Sequence, residues 1–69
     1  MSATTFHQGL NAEVATAVRR ELLKLAYAED QLAADERAKV QYWEPCPAAV
    51  QGHRAAAAAL RAGAHRIAA

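Results

Sequence analysis

With 69 residues the chain holds at most one domain, and its single cysteine, Cys46, excludes both a disulfide framework and a thiolate-rich zinc site. A net charge of +1 removes strong steering toward nucleic acid or an anionic membrane surface. A folded chain of this size buries only about 60% of the surface it exposes when unfolded, so its stability is marginal and an oligomer is expected.

Residues 1–10 are polar and small and are expected to form a flexible N-terminus. They lack the basic start and apolar core of a secretory signal. Leu10-Asn11-Ala12-Glu13-Val14 reads as a helix start. Asn11 supplies an N-cap, Glu13 places an acid in the first turn, and Leu10 precedes the cap as a hydrophobic staple.

From Asn11 to Trp43 there is no Gly or Pro. Apolar residues recur as Leu10, Val14, Val18, Leu22, Leu25, Leu32, Val40 and Trp43, in helical steps. On a wheel they form one stripe, with Ala15, Ala26 and Ala33 at its edge. The pattern predicts a first helix over 11–43. Glu44-Pro45-Cys46-Pro47 ends it, because Pro45 disfavours helical geometry at Glu44 and Pro47 suits a helix start. A turn over 44–47 leaves room only for a return. The second helix, 47–67, is alanine-rich, with an apolar face of Val50, Ala57, Leu60, Ala64 and Ile67 that also carries His53.

The expected fold is all-α: one helical-hairpin domain over 1–69, an antiparallel pair of a long first helix and a shorter second one, dimerising into a four-helix bundle. Helix lengths motivate the dimer. The second helix is too short to cover Leu10, Val14 and Val18, which are expected to pack on a partner chain. Gly52, Ala56, Ala59 and Gly63 fall on one line of the second helix and are expected to form a further contact. Two glycines inside a helix each cost about 1 kcal/mol against alanine and call for a packing reason.

Glu29 and Glu36 interrupt the apolar stripe of the first helix, and a carboxylate there needs a partner. Folding back at the prolines pairs Glu36 with His53 or Arg54, and Glu29 with Arg61, as polar contacts that fix register. A metal site built from Glu29, Glu36 and His53 of two hairpins is the competing reading. Carboxylate di-metal bundles carry Glu-x-x-His on one helix, a pattern missing here. Cys46-Pro47 could offer a thiolate to haem, but one Cys-Pro pair is a weak signal. No metal and no cofactor is expected.

Up to Glu44 the charges sum to −2; beyond it, Arg54, Arg61 and Arg66 give +3. The simplest use of this asymmetry is internal, a basic helix on an acidic one. Arg54, Arg61, His65 and Arg66 could instead contact phosphates, but nucleic acid is disfavoured with so few bases on one face. Leu23 and Tyr27 lie on the far side of the first helix, as surface residues or a second contact.

The chain offers no nucleophile beside a base, no glycine-rich phosphate loop and little volume for a substrate. It is therefore expected to be no enzyme but a small interaction or assembly protein: an adaptor, inhibitor or structural subunit acting through a homodimer and a protein partner. The alternatives are a nucleic-acid-associated accessory protein using the basic second helix, and a metal- or haem-binding bundle. No apolar run approaches the roughly 20 residues needed to span a bilayer, so no membrane role and a cytoplasmic location are expected. Abundant alanine, with arginine above lysine, is common in small proteins of high-GC bacteria and their phages.

Overall fold

A computed structural model describes residues 11–67 of the chain. Leu10, expected at an oligomer contact, lies outside them. Two helices account for the architecture: α1, Ala12–Ala38, and α2, Ala48–Arg66. Among the described residues there is no strand, and no helix is long and apolar enough to cross a membrane.

α1 starts as the sequence implies. Asn11 is extended, and its side-chain oxygen accepts a hydrogen bond from the Val14 amide at 2.9 Å. This satisfies one of the donors that a helix start leaves free. The C-terminal end differs from expectation: α1 stops at Ala38, not at Trp43. Arg37 is the reason. Its guanidinium folds back and donates to the carbonyls of Val40, Gln41 and Tyr42 at 3.4, 3.4 and 3.2 Å. Glu44 closes the connection by accepting from the Gln41 amide at 2.7 Å and donating its own amide to the Gln41 carbonyl at 3.0 Å. Val40, Tyr42 and Trp43 have only modest helix propensity to oppose this. They kept a helical spacing in the sequence, which is why periodicity ran through them. Trp43 is exposed and meets Tyr42 edge-on, with ring centroids 4.9 Å apart.

α2 runs from Ala48 with Pro47 as its N-cap. Proline is suited to a helix start because it lacks the amide that would go unpaired there. His65 and Arg66 occupy the last turn, where positive charge meets the negative end of the helix dipole.

The helices pack antiparallel, and alanine makes the seam. The buried residues are Ala15, Ala26 and Ala33 of α1 with Val50, Ala57 and Ala64 of α2. Ala26 to Ala33, Val50 to Ala57 and Ala57 to Ala64 are each seven residues apart. Leu22 on α1, Val40 just beyond it, His53 and Leu60 on α2, and Ile67 at its C-cap are half-buried. A seven-residue repeat with intervening steps of three and four is the pattern of two helices supercoiling on each other.

This changes the expected core. The alanines placed at the edge of the apolar stripe are the centre of the contact. Of the stripe residues described, only Leu22 and Val40 are half-buried. The second helix presents small side chains, and a matching row of small side chains lets the two backbones come close. A row of leucines would hold them apart.

Candidate interaction surface

The alanine seam leaves a row of larger side chains outside it. Val14, Val18, Leu25 and Leu32 are exposed to 41, 44, 52 and 45%. They lie on α1 about a quarter-turn from the seam at about 100° per residue. Val14 and Val18 were expected at an oligomer contact. Leu25 and Leu32 were expected to pack within the hairpin, and they do not.

Two contacts define the sides of the seam. Leu22 stands beside Gly63, its Cδ1 3.8 Å from where a Cβ on that glycine would be. Asp30 pairs with Arg61. On α1, Leu22 is on the side toward Val18 and Leu25, and Asp30 is on the side away from them. On α2, Gly63 is on the side of Gly52, Ala56 and Ala59, while Arg61 is on the other side with Arg54 and His65. The aliphatic row of α1 and the small-residue row of α2 therefore line one face of the hairpin. Along the small row, Ala56 and Gly63 are half-buried, and Gly52 and Ala59 are exposed.

A polar pair lies at the floor of this face. His53 Nδ1 hydrogen-bonds Glu29 Oε2 at 2.5 Å, with side chains 31% and 29% exposed respectively. The expected partners were different: Glu36 for His53, and Arg61 for Glu29. In the structure Glu36 pairs with Lys39 at 3.0 Å, Arg61 goes to Asp30, and Arg54 is exposed. The early end of α1 explains the change. A non-helical connection over residues 39–47 slides α2 by roughly one turn against the register that a tight turn at 44–47 would impose. The apolar stripe does not single out Asp30. Its signal was its place directly after Glu29, since successive carboxylates on a helix straddle a seam and reach to opposite sides of it.

The opposite side of the hairpin is charged. Arg19, Arg20 and Lys24 surround Leu23 and Tyr27 in an open groove of about 560 Å³ whose wall also includes Thr16. Lys24 also pairs with Glu21 at 3.3 Å. Of the residues that could contact phosphate, Arg61 is engaged with Asp30, while Arg54, His65 and Arg66 are exposed. Cys46 is exposed in the connection, with its sulfur 3.9 Å from the Gln51 amide nitrogen. Among the described residues, no three His, Cys, Asp or Glu side chains converge as metal donors.

Comparisons with protein-family models, with curated proteins and with solved structures found no match.

Proposed function

We propose that the chain is a non-enzymatic helical interaction module, which acts by docking the Val14–Val18–Leu25–Leu32 row onto another helical surface, a copy of itself included. One observation carries the reading: the seam buries five alanines and Val50, while Val14, Val18, Leu25 and Leu32 stay exposed. Fully burying a Val or Leu contributes about 1.5–3 kcal/mol, and these side chains are already about half covered. Covering the row would therefore add several kcal/mol, on the order of the whole stability of a small domain. An alanine seam alone gives little to a chain of this length. An adaptor, an inhibitor or an assembly subunit would each use such a face, inside a cell, with a protein partner in addition to self-association.

A nucleic-acid role finds less support. Arg54, His65 and Arg66 are spread along α2, and the denser basic group sits on α1 around Tyr27. A metal-binding bundle would draw on Glu29, Glu36 and His53, of which Glu29 and His53 already satisfy each other, and haem would rest on Cys46 alone, exposed in the connection.

The test is sedimentation equilibrium of the whole chain beside Leu25→Glu and Ala34→Glu. Ala34 is exposed on the other side of α1. Association that is lost in Leu25→Glu and kept in Ala34→Glu supports the reading. A folded monomer at micromolar concentration, or association indifferent to Leu25→Glu, removes it.

A further inference from the structure

Resting on the reading of this face as a docking surface, we infer that its occupant is a second copy of the chain, placed with both connecting turns at the same end. The aliphatic row of each hairpin then lies in the small-residue row of the other.

The argument begins with levels along the hairpin. Leu22 faces Gly63. Counting along both helices from that contact, Leu25 comes level with the interval between Gly63 and Ala59. Leu32 comes level with the interval between Ala56 and Gly52. A two-fold axis running along the hairpin, between the two faces, keeps these levels and exchanges left for right. It sets α1 of one copy over α2 of the other. Leu25 then enters the gap between the partner copy's glycine 63 and alanine 59, and Leu32 the next gap, as knobs into holes. A two-fold axis across the hairpin would instead put row against row: leucine on leucine along one edge, glycine on glycine along the other. Such a wedge packs poorly.

Area and charge agree with the first arrangement. α1 has 27 residues and is about 40 Å long, and the hairpin is 18 Å across, so the face measures roughly 700 Å². A stable interface needs about 800 Å² per partner, a similar figure. At the rim, Glu21 lies outside the aliphatic row, and Arg66 is one turn beyond Gly63 on the outer edge of α2. The same axis brings each Glu21 level with the other copy's arginine, a complementary pair formed twice. The arrangement also stacks the basic open end on its copy, while the turn, with one lysine and one glutamate, is neutral. Those charges are exposed and screened by salt over about 8 Å, so they weigh less than enclosing leucines. The Glu29–His53 pair becomes covered by the partner, where it sets the register.

Native Cys46 reports the arrangement. A nitroxide on Cys46, read by pulsed dipolar spectroscopy of the full chain, is expected to give a spin–spin distance under about 25 Å, since the turns meet at one end. Turns at opposite ends would give more than about 40 Å and overturn the proposed arrangement, leaving the docking face standing. Gly52→Leu is the second arm. A Cβ at Gly52 meets nothing within 4 Å in its own hairpin, so the substitution leaves the fold intact. It fills the gap meant for the partner's leucine and is expected to weaken dimerisation at least about tenfold. A dimer unaffected by Gly52→Leu overturns the packing of row into gap. A folded monomer overturns both this inference and the docking reading beneath it.

Discussion

Leu22 lies against Gly63 across the hairpin, with 3.8 Å between its Cδ1 and the place a Cβ would take on the glycine. That is ordinary van der Waals contact, so the site has room for a methyl group. Gly63→Ala is expected to stabilise the fold by about 1 kcal/mol, because alanine both favours the helix and restricts the unfolded chain. For a domain this small, the gain corresponds to a rise in Tm of roughly 4–8 °C. Gly63→Leu should do the reverse, by driving a larger side chain into Leu22. Thermal melts at one protein concentration check both signs.

Among the described residues, Glu29 and His53 form the one half-buried polar contact between the two helices. A double-mutant cycle of Glu29→Gln and His53→Gln is expected to give a coupling of about 0.5–1 kcal/mol, reduced from that of a buried pair because each side chain is nearly a third exposed. Glu36→Gln, which removes only a contact with Lys39 at the C-cap of the same helix, should change stability by less than about 0.5 kcal/mol. A larger cost for Glu36→Gln than for Glu29→Gln in urea titrations would contradict the observed register.

Arg37 holds the end of α1 by donating to Val40, Gln41 and Tyr42. Arg37→Met keeps the aliphatic stem and removes the donors. It is expected to cost about 1 kcal/mol, since the bonds are long and partly exposed. More telling than the cost is the geometry. Without the guanidinium the chain after Ala38 is free to continue as helix, and backbone chemical shifts of residues 39–43 should move toward helical values. Unchanged shifts would mean that another group ends the helix.

Asn11 caps α1 through its side-chain oxygen. Asn11→Ala should lower stability by about 1 kcal/mol, and Asn11→Asp should retain it, because aspartate accepts the same bond and adds charge at the positive end of the helix dipole. Chemical denaturation of the two variants separates the cap from a general loss of helix propensity. Equal losses in both would point to the latter.

Much of the architecture is legible in the sequence, because its causes are local. The Gly- and Pro-free run after Asn11 demands a helix, the cap residue marks its start, Pro45 and Pro47 interrupt the chain, and the alanine-rich segment beyond can only return along the first. These follow from backbone sterics and from hydrogen bonds among near neighbours. Val14 and Val18 are exposed, as helix lengths lead one to expect, but they share that exposure with Leu25 and Leu32 because the whole row lies beside the seam.

Tertiary structure decided which side of α1 faces α2, and with it every cross-helix pair. Periodicity weighs side chains by how much they dislike water, and by that measure Leu25 and Leu32 belong inside. Two helices choose their contact by how closely their backbones can approach, and this depends on both partners at once. Ala57 and Ala64 on one side select Ala26 and Ala33 on the other, and the leucines are left outside. Register was out of reach for a related reason. It follows from where α1 ends, and that rests on Arg37 reaching forward to carbonyls beyond the helix, a side-chain choice that helical spacing does not encode. Glu29 consequently meets His53, and Asp30 meets Arg61, because the connection between the helices is longer than its prolines alone imply.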